Sequence, residues 1–213
     1  MIKVVVFDFD GTLVDSNEIK KDIFFDIAED FIKGSSDTMR DILSRNKGHM
    51  TRYEIFDELL NRYRDKEMQE DEIHSSLDML VEKYTLISEK EVGSAKEIDG
   101  ARNILDSLYK RFPLFINSAT PTETLKRIIK HRRWSSYFRD IFGSERTKLE
   151  NLEAIRDLED VKRSDMIMIG DSNDDYFAAR DFNCHFIGLD NLDYSDTFIV
   201  KSLYEIEELI NNI

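Results

Sequence analysis

The sequence predicts an α/β protein: a doubly wound parallel sheet with helices on both faces, carrying an inserted block of helices. From residue 93 onward, short apolar runs alternate with helical patterns. The runs are apolar at successive positions, which is typical of parallel strands buried on both faces. Between Ser16 and Lys90, helical patterns follow one another without a convincing alternating strand. That block is therefore predicted as an insertion and not as a tandem domain.

The composition is that of an ordinary globular protein. The 213 residues are 41% hydrophobic and carry a net charge of −14, which suits one domain with an insertion. The negative charge disfavours nucleic acid or an anionic membrane as a partner. A single cysteine, Cys184, excludes an internal disulfide framework. Because the chain enters a strand without a leader segment and no apolar run approaches about 18 residues, we expect a cytoplasmic protein.

Individual elements are assigned from hydrophobic periodicity and from cap and turn residues. Strands are predicted at residues 4–7, 113–118, 140–142, 166–170 and 185–189. Helices of the insertion are predicted at about 16–33, at 35–45, from 51 onward, and at 71–87. The other helices are predicted at 100–111, from 120 onward, at 149–158, at 174–182 and at the carboxyl end. Two helix starts depend on capping boxes, in which Thr51 pairs with Glu54 and Thr120 with Glu123.

Polar side chains stand where three of the predicted strands end. Asp8 and Asp10 follow the first strand, Asn117 and Ser118 end the second, and Asp171 follows a later one. The carboxyl ends of parallel strands form one edge, outside which ligands bind. Strand alternation places the first two aspartates on the same side, and neighbouring carboxylates need a cation or a shared proton. This edge is therefore predicted to hold a metal site or an acid/base pair.

The stretch DFDGTLVDS, residues 8–16, resembles the first motif of the haloacid dehalogenase superfamily of phosphatases. The likeness continues in order through Ser118 in the second motif, Lys148 in the third, and GDSNDD at 170–175 in the fourth. It implies a Rossmann-like core domain of residues 1–15 and 91–213 with an α-helical cap domain at 16–90. This arrangement is similar to the group of phosphoglycolate phosphatase and beta-phosphoglucomutase.

The resemblance implies catalytic roles for the two aspartates of the first motif. Asp8 is implied as the nucleophile that forms an aspartyl-phosphate, which divides one difficult step into two. Asp10 is implied as the acid that protonates the leaving oxygen and then as the base that activates water. The implied cofactor is Mg²⁺, which prefers hard oxygen ligands. Its implied ligands are Asp8, the backbone carbonyl of Asp10, Asp171 and Asp175.

A set of phosphate-binding residues is implied in the same way. It consists of Gly11, Thr12, Ser118, Ala119 and Lys148. The lysine would neutralise the phosphoryl group as a point charge. The third motif departs from the family, because Leu149 stands where proline commonly follows the lysine. Arg146 is therefore kept as a competing candidate.

A basic stretch in the helical block is a candidate for substrate selection. Residues 42–53 contain no acidic residue, although the chain is acidic as a whole. In the family, the loop between these helices reaches the active site. Lys47, His49 and Arg52 are therefore predicted to contact a polar or anionic leaving group. The alternative is a solvated basic turn that balances nearby acids.

Together these features predict a Mg²⁺-dependent phosphatase acting on a small phosphorylated metabolite of the sugar phosphate or phosphoglycolate type. A phosphosugar mutase of the beta-phosphoglucomutase type is the alternative, in which Asp8 passes the phosphoryl group between positions of the substrate. A non-catalytic signalling module that stores phosphate on Asp8 is disfavoured, because a store should lack an efficient base such as Asp10.

Overall fold

The computed structural model describes residues 1–46, 50–63, 70–189 and 192–213. The chain divides into two compact units. One comprises Met1–Ser16 with Gly93–Ile213, and the other comprises Asn17–Val92. The first unit is the α/β unit and the second is the helical unit. Within the described residues, no helix has both the length and the apolar character needed to cross a membrane.

The α/β unit is built on a parallel sheet, as the sequence predicts. Its strands are β1 (Val4–Phe7), β2 (Leu114–Asn117), β3 (Phe138–Phe142), β4 (Met166–Gly170), β5 (His185–Leu189) and β6 (Phe198–Val200). They lie in the order β3-β2-β1-β4-β5-β6, and each pair is parallel. Every residue of β1, β2 and β4 is buried, because these strands lie inside the sheet and are covered on both faces.

The edge strand β6 is absent from the sequence-based assignment. It comprises three residues, and Phe198 is exposed. Such a short strand has too few positions to show a hydrophobic period. It pairs with β5 through Ile199, whose register partner is Gly188.

The helices of the described residues follow the predicted order. Those that begin before residue 93 are α1 (Asn17–Phe31), α2 (Ser36–Arg45), α3 (Arg52–Tyr63) and α4 (Glu70–Ser94). The later ones are α5 (Ala101–Leu108), α6 (Thr122–His131), α7 (Lys148–Glu159), α8 (Asn173–Phe182) and α9 (Ile206–Asn212). Helix α4 ends later than predicted, because Ser88 and Val92 continue the buried face after Tyr84 at four-residue steps.

The helical unit has an apolar core of its own. Phe24 stacks on Tyr84 at a centroid distance of 4.1 Å, and Phe56 packs against both rings. At the start of α3, the Thr51 backbone N–H donates to Glu54 at 2.6 Å, and the Glu54 backbone N–H donates to the Thr51 hydroxyl at 3.3 Å. The capping box predicted there is therefore confirmed.

In the α/β unit, α7 and α8 pack on one face of the sheet. Leu152 and Phe182 from these helices join Val6 and Met168 in one buried cluster. Because the strands are parallel, their carboxyl ends lie along one edge of the sheet. The residues that follow β1, β2 and β4 are brought together at this edge.

Candidate active site

Asp8 is held rigidly at the end of β1. Its backbone N–H donates to the Ile169 carbonyl at 2.8 Å, so the ladder with β4 continues one residue beyond the strand. The chain then turns at Gly11, whose φ of 78° lies in the left-handed region that favours glycine. The Gly11 N–H donates to the Val14 carbonyl at 2.8 Å. Asp8 is only 4% exposed, so its carboxylate is presented from a fixed backbone in a largely dry environment.

Lys148 lies between two buried carboxylates. Its Nζ is 3.1 Å from Oδ1 of Asp8 and 2.5 Å from Oδ1 of Asp175. Burial disfavours the ammonium form, but the charges of Asp175 and Asp8 outweigh it and raise the pKa of Lys148 above its ordinary value. Arg146, the competing candidate, is exposed. Of the two basic residues, Lys148 is therefore the one that contacts Asp8 of the first motif.

Three carboxylates converge beside this lysine. One oxygen from each of Asp8, Asp171 and Asp175 lies within 4.8 Å of the others. Burial raises the pKa of Asp8 well above its ordinary value of 3.8; Lys148 opposes this, and the nearby aspartates add to it. One ammonium group does not balance so much negative charge. Hard oxygen donors with excess negative charge fit a divalent cation such as Mg²⁺.

Asp175 also closes the first turn of α8. Its Oδ2 accepts hydrogen bonds from the backbone N–H of Ser172 at 3.1 Å and from the Ser172 hydroxyl at 2.5 Å, in a capping box. A side chain at Gly170 would collide with it, since a Cβ atom there would lie 2.4 Å from the Asp175 Cγ. The carboxylate is thus held from both sides. Its predicted role as a metal ligand stays a prediction.

Both oxygens of Asp10 accept hydrogen bonds from hydroxyl groups. The Ser16 hydroxyl donates to Oδ1 at 2.6 Å, and the Thr120 hydroxyl donates to Oδ2 at 2.9 Å. Two donors on opposite oxygens fix the rotation of the carboxylate. Neither hydroxyl is among the site residues predicted from the sequence.

The capping box predicted for Thr120 and Glu123 is wrong. The N-cap position of α6 is Pro121, without a hydrogen bond from its side chain. The first turn is capped from outside the helix, since Glu145 accepts from the Thr122 backbone N–H at 3.0 Å. Thr120 lies one residue before this N-cap, and its hydroxyl donates to Asp10.

Comparison with known proteins agrees with this geometry. The family model described as haloacid dehalogenase-like hydrolase matches residues 5–189. The chain belongs to this family. The matched span includes every residue of the acidic cluster and the lysine beside it.

Several relatives of this haloacid dehalogenase-like hydrolase have a named activity or ligand. A phosphoglycolate phosphatase from Photobacterium profundum is 24% identical over 207 residues, covering 88% of this chain and 83% of the relative. A HAD-type hydrolase from Bacillus subtilis, solved with bound magnesium, aligns with a TM-score of 0.72, 20% identity and 99% coverage of both chains. A protein assigned as a beta-phosphoglucomutase from Thermotoga maritima aligns with a TM-score of 0.73, 18% identity and 100% coverage of both. At these identities, the two structural likenesses show the shared fold alone.

The remaining predicted phosphate-binding residues of this hydrolase lie at the same edge of the sheet. The Thr12 hydroxyl donates to Oδ1 of Asp171 at 2.8 Å. The Ser118 hydroxyl is buried and accepts from the Thr120 backbone N–H at 3.1 Å, and Ala119 between them is exposed. Their role in phosphate binding stays a prediction.

The basic residues predicted to contact the substrate belong to the helical unit. Lys47 and His49 lie outside the described residues. Arg52 donates to the Thr85 hydroxyl at 2.8 Å, and its guanidinium lies 5.2 Å from the ring centroid of Tyr84. These contacts join α3 to α4. The predicted contact of Arg52 with a substrate stays a prediction.

Proposed function

We propose that this hydrolase is a Mg²⁺-dependent phosphatase that acts on a small phosphorylated metabolite through an aspartyl-phosphate on Asp8. The observation that carries the proposal is the position of the Asp8 carboxylate, which is buried, contacts Lys148 and clusters with Asp171. A carboxylate of this kind is expected where a nucleophile must meet an anionic phosphoryl group. The curated phosphoglycolate phosphatase relative supports the same class of substrate.

In the first step, an oxygen of Asp8 attacks phosphorus while the bond from phosphorus to the leaving oxygen breaks. Asp10 in its protonated form gives its proton to that oxygen, so the product leaves as an alcohol. Lys148 balances the charge of the phosphoryl group as it is transferred. The hydrogen bonds from Ser16 and Thr120 hold Asp10 in one orientation.

In the second step, water attacks phosphorus of the aspartyl-phosphate. Asp10, now ionised, takes a proton from the water, and the Asp8 carboxylate is released with inorganic phosphate. The base that removes this proton is the group that gave one before, so the enzyme returns to its starting state.

Asp8, Asp171 and the backbone carbonyl of Asp10 are the proposed protein ligands of Mg²⁺, with Asp175 as a ligand or as a group that orients bound water. When bound, the ion would reduce the repulsion between the carboxylates and the phosphoryl oxygens. The Bacillus subtilis relative, solved with magnesium, supports this choice of cation.

The proposed function is tested by phosphate release from para-nitrophenyl phosphate and from a panel of phosphorylated metabolites. With Mg²⁺ present we expect turnover, and EDTA should abolish it because the acidic cluster then lacks its counter-charge. Restoring Mg²⁺ in excess should restore the rate, which controls for unfolding by the chelator. A purified, folded protein that releases no phosphate from any of these compounds with Mg²⁺ would contradict the proposal.

A phosphosugar mutase is the second candidate, favoured by the likeness to the Thermotoga maritima protein. The two reactions share the aspartyl-phosphate and differ in the group that accepts the phosphoryl. Product analysis separates them, because a phosphatase releases inorganic phosphate whereas a mutase interconverts isomers with little release. The storage module is disfavoured by the two hydrogen bonds that hold Asp10 ready as a base.

We predict that Thr120→Val lowers kcat by about tenfold, because Asp10 loses one of the two donors that orient it as an acid and base. The substitution keeps the shape of the side chain and removes only the hydroxyl. Thr120→Ser should recover most of the rate. The control is Thr197→Val, which removes a hydroxyl bonded to the Phe186 carbonyl. A Thr120→Val variant with unchanged kcat would show that Asp10 needs no such donor.

A further inference from the structure

Two asparagine side chains are buried beneath the first turn of α7. Asn117 ends β2 and is 0% exposed, and Asn151 lies in the first turn of α7 and is 2% exposed. Amides without partners are costly to bury. Both amides lie beside the buried lysine of the site, and their hydrogen bonds show how they are satisfied there.

The two amides form a directed chain. Asn117 donates from Nδ2 to the backbone carbonyl of Lys148 at 2.9 Å. Its Oδ1 accepts from Nδ2 of Asn151 at 3.0 Å, and this Nδ2 also donates to the Gly143 carbonyl at 2.9 Å. Since both backbone carbonyls can only accept, the orientation of each amide is determined. Neither leucine nor aspartate could supply the same set.

The chain of hydrogen bonds joins three segments that meet at Lys148. These are the end of β2, the loop after β3 and the first turn of α7. The loop packs closely on the start of α6: the Gly143 N–H donates to the Thr122 hydroxyl at 2.9 Å, and a Cβ atom at Gly143 would lie 2.2 Å from the Thr122 backbone nitrogen. On its outer side, the turn is closed by the capping box of Thr147 and Glu150. The amides are thus the inner support of the backbone that carries the lysine.

We propose that Asn117 and Asn151 are positioning residues for Lys148. Asn117 fixes the Lys148 backbone carbonyl, and Asn151 holds Asn117 in place. Together they set the path of the lysine side chain to Asp8 and Asp175. This arrangement supplies rigidity at the point where Leu149, and not proline, follows the lysine. The inference rests on the proposed function only in assuming that Lys148 acts on a phosphoryl group.

The kinetic test is a double-mutant cycle between Asn117 and Lys148. We expect Asn117→Ala to lower kcat by about 10- to 100-fold with a smaller change in KM. The reason is that a displaced Lys148 ammonium stabilises the transition state less, while it affects substrate binding to a smaller extent. Lys148→Ala should lower kcat by about 10²- to 10³-fold. In the double variant, the loss should match that of Lys148→Ala within about twofold, since the asparagine acts through the lysine.

Losses that multiply in the double variant would overturn the inference, as would full activity in both Asn117→Ala and Asn151→Ala. Ile155→Val is the matched control for stability, because it removes a buried methyl group from α7 and leaves both amides in place. Its kcat should equal that of the wild type, even where its melting temperature falls as far as that of Asn117→Ala.

A second measurement does not depend on activity. Reductive methylation of Lys148, followed by mass spectrometry of its peptide, reports whether the buried ammonium is still held between its carboxylates. We expect the rate to rise about tenfold in Asn117→Ala and in Asn151→Ala, because the released side chain reaches solvent. Cys184 is an internal control for general unfolding: it is half-buried and burial raises the pKa of its thiol to about 12, so its alkylation should accelerate when the α/β unit unfolds.

The two measurements separate the inference from the proposed function. If the wild type releases no phosphate while both asparagine variants expose Lys148 and keep Cys184 protected, the proposed function is wrong and the positioning role is supported. If the wild type is active but Lys148 stays protected in both variants, the positioning role is wrong and the phosphatase is unaffected.

Discussion

Asp8→Asn is expected to lower phosphate release by about 10⁴-fold or more, because the amide cannot form the aspartyl-phosphate. The side chain keeps its shape and its place at the end of β1, so the loss reports chemistry and not folding. The measurement is kcat with Mg²⁺, together with an acid-quenched digest in which the phosphoryl group is sought on the peptide that contains Asp8. The wild type should carry the label and the variant should not.

The same substitution should change the pH dependence of stability in metal-free protein. Burial first, and then the neighbouring aspartates, raise the pKa of Asp8 above its ordinary value of 3.8, against the opposing charge of Lys148. The folded state therefore favours the protonated acid, and the stability associated with it is present below about pH 4 and is lost as the pH rises through the raised pKa. An asparagine has no such loss. We expect the melting temperature of Asp8→Asn to fall less than that of the wild type as the pH is raised above 4.

Mg²⁺ should raise the melting temperature of the wild type more than that of Asp8→Asn. A ligand that binds only the folded state stabilises it, and the variant has lost one of the proposed ligands. The control is Asp181→Asn, which alters an exposed carboxylate paired with Arg180 and should change neither kcat nor the response to Mg²⁺.

An Asp8→Asn variant with wild-type turnover would exclude Asp8 as the nucleophile.

The parallel sheet could be predicted because burial on both faces leaves a simple pattern. Strands such as β1 and β4 are apolar at successive positions, and this pattern is visible without any knowledge of their neighbours. The polar residues that end them could be assigned to one edge for the same reason. Lys148 is harder to assign, since 140 positions separate it from Asp8, and its candidacy came from the order of family motifs.

Other contacts could not be predicted, because the competing partner is distant in the chain. Thr120 fits a capping box by its local pattern, but the helix begins one residue later than that pattern predicts, and the Thr120 hydroxyl donates to Asp10, 110 positions away. The local sequence predicts Asn117 as the polar end of a strand, and it predicts its partner Asn151 as an ordinary helical residue. Only the packing of β2 against α7 brings the two amides within 3.0 Å. Local patterns therefore identify elements and single catalytic groups, whereas the residues that support those groups depend on the fold.

Gly170→Ala is expected to cause the second large loss, about 100-fold in kcat, with a decrease in unfolding free energy of about 1–3 kcal/mol. The new Cβ atom would lie 2.4 Å from the Cγ and 2.5 Å from the Cβ of Asp175. Because the Asp175 Cβ is fixed by the backbone of α8, the first turn of that helix must move. The movement would withdraw the carboxylate from Lys148 and from the Ser172 cap at the same time.

A neighbouring glycine offers a matched control. Gly188 on β5 is the register partner of Gly170, and a Cβ atom there would lie 2.7 Å and 2.9 Å from the terminal methyl carbons of Ile199 and Leu192. Such methyl groups can rotate away, so Gly188→Ala should lower the melting temperature modestly and keep most of the activity. Equal losses of activity in the two variants would mean that the sheet tolerates no added methyl group at all. A loss confined to Gly170→Ala would instead show that catalysis depends on the position of Asp175, because the two substitutions add the same methyl group to adjacent strands.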